Sequence, residues 1–270
     1  MTIDYIMISF VCASVSDVCS YLFAHLIDDF KVVDSSMRGF QNVLTNGVIF
    51  VHYENKGTKP VVLLEIRSAG CRFLEEQAGH SWLNFFQQLM IISKHVSIER
   101  YSVKRLDIAI DSYTKETLSP NRAESYLKKR LVTSRFRISR TIKEYHVKTA
   151  EVTGDSIYFG KRTSDLHIVV YDKQLESDSD SCWFRVELRF RNLWGEKAVA
   201  AILDQPDRFS EFISDVLKTT IQFRSSVHRR SEVRRQPLAK WYLDYLSYVR
   251  RQSLYGLNSC ETKGGVTLDD

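Results

Sequence analysis

Hydrophobic and polar residues alternate with period two along four short segments of the chain, and each segment sets apolar side chains against charged ones. A strand sends successive side chains to opposite faces, so this alternation reads as half-buried β-structure. In YFGKRTSDLHIVVYDKQLE, residues 158–176, Leu166, Ile168 and Val170 share one face while His167, Val169, Tyr171 and Lys173 share the other. In RLDIAID, residues 105–111, Leu106, Ile108 and Ile110 oppose Arg105, Asp107, Ala109 and Asp111. In FRVELRFR, residues 184–191, Phe184, Val186, Leu188 and Phe190 oppose Arg185, Glu187, Arg189 and Arg191. In VLLEIRS, residues 62–68, Leu64 and Ile66 oppose Glu65 and Arg67. Further strands are predicted at 6–12, 48–53 and 156–160, with 48–53 and 61–67 pairing around the polar turn NKGTKP. Helical spacing marks 15–29 with Ser14 or Ser16 as N-cap, 73–95 with a break near Gly79, 121–131 behind Pro120, and 198–203, 208–223 and 238–251. Residues 135–148 are polar and basic, and read as an irregular strand or a loop. No internal repeat is visible. Interleaved helices and alternating strands predict an α+β domain: an antiparallel sheet with helices on one face and a polar cleft on the other.

A chain of 270 residues with 44% hydrophobic content can bury a full core, in one large domain or two smaller ones. The net charge of +5 is modest, but its distribution is uneven. Arg135, Arg137 and Arg140 cluster, as do Arg229, Arg230, Arg234 and Arg235, and Arg250 with Arg251. Guanidinium groups in clusters suit phosphate oxygens, although a solvated basic surface carries the same signature. The five cysteines are Cys12, Cys19, Cys71, Cys182 and Cys260. Their odd number, without C-x-x-C spacing or an accompanying His cluster, argues against a zinc site or a disulfide framework. Reduced thiols in a cytoplasmic protein are the simplest account. No apolar run nears the roughly 20 residues that a membrane span needs. The apolar start IDYIMISFVCASV is interrupted by Asp4 and lacks a basic leader, so it reads as a first core strand rather than a signal peptide.

Tyr171 with Lys173 two residues on places a hydroxyl beside a cation on one predicted strand face. A phenol has an ordinary pKa of about 10 and is a poor nucleophile at neutral pH unless a neighbour stabilises the phenolate. With that help it can attack a phosphate, giving a phosphotyrosine bond to one DNA end and freeing a 3′-hydroxyl. The bond remains a phosphodiester, so the step is reversible and needs no ATP. Arg185 or Lys173 would neutralise charge in the transition state. Glu65, Asp107, Asp111 and Glu187 offer oxygen ligands for a hard divalent cation, Mg²⁺ or Mn²⁺, which would polarise the phosphorus. A solvated antiparallel sheet alternates in the same way, and that accounts for any one of these strands taken alone.

RLDIAID, YFGKRTSD…VVYDKQLE and WFRVELRFRN, in this order, resemble the three signature blocks of the rolling-circle replication initiators of the trans-acting plasmid and phage type. LLEIRSAGCRFLEE resembles the block that precedes them in the phage-like branch. The resemblance covers residues 1–225. It implies a DNA nicking–closing enzyme with an HUH-endonuclease-like core that lacks the His-hydrophobe-His motif and holds its metal with acidic residues. The chain has no H-x-H. By position, Tyr171 matches the nucleophile, Asp107 and Asp111 the acidic pair of the first block, and Glu65 the acid of the preceding one. Glu187 with Arg185 matches the acid and base of the last block, and Lys173 the basic residue after the tyrosine. The chain departs from the plasmid pattern at Val169, where arginine is common: either a phosphate contact is lost there, or His167 or Lys161 replaces it.

The same resemblance implies origin DNA as substrate, a host helicase that unwinds from the nick, and a homodimer. Lys161, Arg162, Arg229, Arg230, Arg234 and Arg235 are the expected DNA contacts. The predicted organisation is a catalytic domain at 1–225, a basic linker and helix at 226–258 for DNA or dimer contacts, and a disordered tail at 259–270. Two other readings stand beside the initiator. One is a conjugative relaxase, which would run the same chemistry at a transfer origin. The other is a non-catalytic nucleic-acid-binding module in which Tyr171 stacks on a base.

Overall fold

A computed structural model of the protein describes residues 1–12, 15–34, 37–54, 61–76, 81–92, 94, 98–177, 180–225 and 232–258. The chain opens with β1 (Thr2–Cys12) and α1 (Val15–Phe23), then β2 (Lys31–Asp34), β3 (Asn42–Thr45), β4 (Ile49–Tyr53) and β5 (Val61–Ile66). Helices α2 (Ser68–Glu76) and α3 (Trp82–Ile92) lead to the long strand β6 (Ile98–Ser112). There follow α4 (Pro120–Lys128), β7 (Val132–Ser134), β8 (Ser139–Tyr145), β9 (Val152–Phe159), β10 (Leu166–Asp172), α5 (Lys173–Ser177) and β11 (Phe184–Arg191). Helices α6 (Leu193–Asp204) and α7 (Phe209–Thr220), strand β12 (Ile221–Phe223) and helix α8 (Lys240–Arg250) complete the described chain.

These elements fall into two compact units. The N-terminal unit comprises residues 3–106, 195–206 and the chain from 255 onward, and the C-terminal unit comprises 1–2, 107–194 and 207–254. In the N-terminal unit the strand order is β2-β3-β4-β5-β1-β6. Its core is the apolar face of β1 and β5: Ile6, Ile8, Phe10, Val62, Leu64 and Ile66 are almost wholly buried. Helices α1 and α3 meet through Phe23 and Phe85, whose ring centroids lie 6.4 Å apart. Gly195 allows α6 to approach β6, because a Cβ there would lie 2.9 Å from Val103 Cγ1.

The C-terminal unit carries the order β6-β11-β10-β9-β8, with antiparallel pairing of β10 to both β11 and β9. Val186, Leu188 and Phe190 of β11 and Ile168 and Val170 of β10 form its buried face. Each such side chain removed from water contributes about 1.5–3 kcal/mol. Helix α4 starts as Pro120 predicts, with the Ser119 hydroxyl accepting from Arg122 N at 3.4 Å. Helix α8 packs on α7 within this unit, with Tyr242 and Tyr245 buried and Ser214 Oγ donating to Leu246 O. It thus belongs to the same compact unit as the β10–β11 pair.

Several predicted elements shift. The stretch 73–95 forms two helices, and Gly79 lies outside the described residues. The stretch 208–223 leaves the helix at Thr220, because Ile221–Phe223 pairs with Val132–Ser134 in a separate two-stranded sheet. The polar segment 135–148 contains the strand β8, which pairs with β9 and stands last in its sheet.

Candidate active site

Strand β10 presents Tyr171 at its end, half-buried, with Arg185 of β11 directly opposite and Glu187 opposite Val169. The Tyr171 hydroxyl donates to Glu187 Oε1 at 2.7 Å. Burial, and then the Glu187 carboxylate, push the phenol far above its ordinary range, while the Arg185 guanidinium pulls it back. Arg189 Nη2 donates to Glu187 Oε2 at 2.7 Å, and Arg189 Nε lies 3.6 Å from Asp107 Oδ2. Asp111 is gripped at both oxygens by Arg185, with Nε to Oδ1 at 2.7 Å and Nη2 to Oδ2 at 2.9 Å. Trp183 Nε1 donates to the same Oδ1 at 2.5 Å. The C-terminal unit therefore brings together Tyr171, Arg185, Glu187, Asp107 and Asp111 of the predicted site, and adds Arg189 and Trp183.

Lys173 stands elsewhere than the alternation placed it. The strand ends at Asp172, whose Oδ1 accepts from Leu175 N at 3.3 Å and so caps the start of α5. Lys173 is the first residue of that helix. Its Nζ nevertheless lies 5.9 Å from the centre of the Tyr171 ring, and it pairs with Glu176 at 2.8 Å. The face of β10 read as exposed or cleft-facing is cleft-facing at Val169 and Tyr171, which line a pocket, although His167 and Val169 are each only 2% exposed. His167 stacks on Tyr158 at 5.8 Å, with the Arg140 guanidinium over the Tyr158 ring. It is packed rather than offered to a phosphate.

Among the described residues, no three His, Cys, Asp or Glu side chains come together as metal ligands. The four carboxylates expected as ligands are each engaged by arginine: Asp107 and Glu187 by Arg189, Asp111 by Arg185, and Glu65 by Arg38 and Arg67. Glu65, fully buried in the N-terminal unit, shows this most fully. Its Oε1 accepts from Tyr5 Oη and Arg38 Nη2 at 2.7 Å each and from Arg67 Nε at 3.0 Å. Its Oε2 accepts from Arg38 Nε at 3.0 Å and lies 3.2 Å from His52 Nε2. Burial by itself would raise this carboxyl, but the hydrogen bonds from His52, Arg38, Arg67 and Tyr5 overcome it and hold the group far below the usual carboxylate range.

A pocket of about 310 Å³ opens beside Tyr171 in the C-terminal unit. Its charged lining consists of Glu144, Asp155, Asp172, Glu176, Glu187 and Arg189. Asp155 is 6% exposed, its Oδ2 lies 3.5 Å from Lys143 Nζ, and its Oδ1 has no hydrogen-bond partner. Of the expected DNA contacts, Lys161 and Arg162 are exposed in the turn between β9 and β10. That turn needs Gly160, whose φ is +90° and where a Cβ would lie 2.8 Å from Phe136. Arg234 and Arg235 are exposed in a short 3₁₀ turn, with Arg234 held by Glu232 at 2.6 Å. Arg229 and Arg230 lie outside the described residues.

The antiparallel α+β fold is that of a rolling-circle initiator. The solved structure titled "Structure of Rolling Circle Replication Initiator Protein from Geobacillus stearothermophilus" superposes with a TM-score of 0.82 at 23% identity, covering 95% of this chain and 97% of that one. Residues 101–254 match the family described as "Replication initiation factor", and residues 1–88 match "Rolling Circle replication initiation protein N-terminal domain". The chain belongs to the replication initiation factor family. It is also 28% identical over 217 residues to NicK of Bacillus subtilis (strain 168), which carries the provisional description of a DNA relaxase. That match takes in 76% of this chain but spans 59% of the relative's length. No described helix is long and apolar enough to cross a membrane.

Proposed function

We propose that the protein is a rolling-circle replication initiator that cuts one strand of origin DNA with Tyr171 and later rejoins the ends. The observation that carries the proposal is the 2.7 Å hydrogen bond from the Tyr171 hydroxyl to Glu187, beside Arg189, Arg185 and Lys173. Tyr171 Oη attacks the scissile phosphorus and the bond from phosphorus to the 3′-oxygen breaks. The phenolic proton passes to Glu187, the base already in hydrogen-bond reach, and the departing oxygen takes up a proton from water to become the 3′-hydroxyl primer. Arg185 and Arg189 stabilise the added negative charge, and Asp111 and Asp107 hold those guanidinium groups in place. Rejoining runs the same steps backward. A host helicase and a second copy of the chain belong to this reading as partners.

A divalent cation fits beside this machinery. The pocket carries five carboxylates against one guanidinium, so a phosphodiester entering it meets net repulsion. Asp155, with its unpartnered Oδ1, is the residue that would hold Mg²⁺ or Mn²⁺ there. Such ions accept one or two carboxylates and complete their shell with water and substrate phosphate. Bound, the ion would offset charge on the reacting phosphate.

The test is a covalent-adduct assay on origin DNA under denaturing conditions. The parent protein should form an adduct; Tyr171→Phe should bind the same DNA and form none. EDTA should suppress the adduct, and Asp155→Asn should raise the Mg²⁺ concentration needed to restore it. An adduct that survives Tyr171→Phe assigns the nucleophile elsewhere, and nicking that persists in EDTA removes the cation from the scheme. The likeness to NicK supports a second reading, a relaxase at a transfer origin. The same assay run on transfer-origin DNA separates the two.

A further inference from the structure

Beside the nucleophile stands an aromatic pair that the proposed chemistry leaves unused. Tyr113 follows directly on β6 and is 61% exposed. Its ring centre lies 5.8 Å from that of Trp183, with the planes tilted by 33°. Trp183 is fixed through its indole N–H and its carbonyl. Its indole N–H is donated to Asp111, and its carbonyl accepts from Lys173 N at 2.8 Å and Gln174 N at 3.0 Å. Asp111 is in turn held by Arg185, and its carbonyl accepts from the Tyr248 hydroxyl at 2.6 Å. The pair is thus a rigid aromatic surface whose outer ring faces solvent.

One cation joins this surface to the nucleophile. Lys173 Nζ lies 5.8 Å from the Trp183 ring centre and 5.9 Å from that of Tyr171. Arg185 Cζ lies 5.5 Å from the Trp183 ring and its guanidinium sits on Asp111. A phosphate seated at Tyr171 for attack places its base on the side of Lys173 that leads to the aromatic pair. Exposed aromatic rings beside cations are how proteins hold unpaired nucleotides, because every base offers a π-face and stacking needs no particular sequence.

We propose that Tyr113, backed by Trp183, is a stacking platform for the unpaired base next to the scissile phosphate, so that the ligand of this subsite is single-stranded DNA. The inference rests on the nicking function proposed above. The probe is an oligothymidylate in which 2-aminopurine replaces scattered bases, its fluorescence quenched where a base stacks on a ring. The parent and Tyr113→Phe should quench it and bind alike, since the hydroxyl takes no part. Tyr113→Ala should lose the quench attributable to the platform and bind about tenfold more weakly or worse. Trp183→Phe keeps a ring but drops the hydrogen bond to Asp111, and should fall between them. Equal quench and affinity in the parent and Tyr113→Ala, at an unchanged melting temperature, overturn the platform. The Tyr171-dependent adduct on origin DNA reports separately: present with no platform signal, it leaves the nicking function standing and sinks only this inference.

Discussion

A phenol held well above its ordinary range cannot ionise by itself at neutral pH, so at Tyr171 the rate depends on the base that takes its proton. Glu187→Gln keeps an oxygen to accept the Tyr171 hydrogen bond but removes the basicity. This variant should bind DNA like the parent and nick about 10²–10⁴-fold more slowly in single-turnover measurements. A rate within a few-fold of the parent would assign the proton to another group. Tyr171, Arg185 and Glu187 were legible in the sequence because alternation on two strands puts all three on one face. The register was not legible: Arg185 stands opposite Tyr171, and the phenol reaches Glu187 on the diagonal. Arg189 was missed as a site residue although it follows Glu187 at the same two-residue spacing, since only the fold shows it lying between Glu187 and Asp107. The guanidinium that the family pattern places at Val169 has a neighbour in Arg189. Val169 stands opposite Glu187 and lines the same pocket as Arg189, which supplies a guanidinium there from the neighbouring strand.

Among the elements, those that bury one face were visible as patterns, and those held by backbone pairing alone were not. Strand β8 is exposed at nearly every position and survives through its ladder to β9. The short strands β2 and β3 pair with each other and carry too few buried side chains to set a period. The α2–α3 region shows what periodicity also hides, a buried acid on an apolar face. Glu75 is 2% exposed, accepts from Trp82 Nε1 at 2.6 Å and pairs with Arg72 at 2.5 Å. Burial pushes its carboxyl up from 4.5 to about 7, against the pull of Trp82 and Arg72. The folded chain therefore keeps a proton that the unfolded chain releases as pH rises from about 4.5 to about 7, and this site loses stability across that window. Glu75→Gln, which retains an acceptor for Trp82, should match the parent near pH 4.5. It should gain in relative melting temperature up to about pH 7 and hold that gain above it. A difference between the two proteins that stays flat with pH would show that Glu75 does not titrate in this window.

At the scale of the molecule, each unit gathers segments distant in sequence, such as 107–194 with 207–254, and composition carries no trace of such returns. That is why RLDIAID read as one motif although its Arg105 and Leu106 belong to the N-terminal unit and its acids to the C-terminal one. Charge is the property that was legible at this scale, but only as clusters along the chain. A net charge of +5 is too small to bind DNA by itself, so affinity has to come from cations placed along the path of the strand. Lys161 and Arg162 are exposed in the β9–β10 turn, on the loop that feeds the nucleophile strand. Side chains of this kind read the backbone and not the bases, and each phosphate they neutralise releases counterions. Replacing both by alanine should weaken binding by a similar factor on specific and unrelated single-stranded DNA. It should also flatten the plot of log affinity against log salt by about 0.7 for each phosphate no longer neutralised. The adduct-forming rate at saturating DNA should hold, because neither side chain touches Tyr171, Glu187 or the arginines around them. An unchanged salt slope would place the DNA path away from this turn, and a change confined to one sequence would make Lys161 and Arg162 base readers.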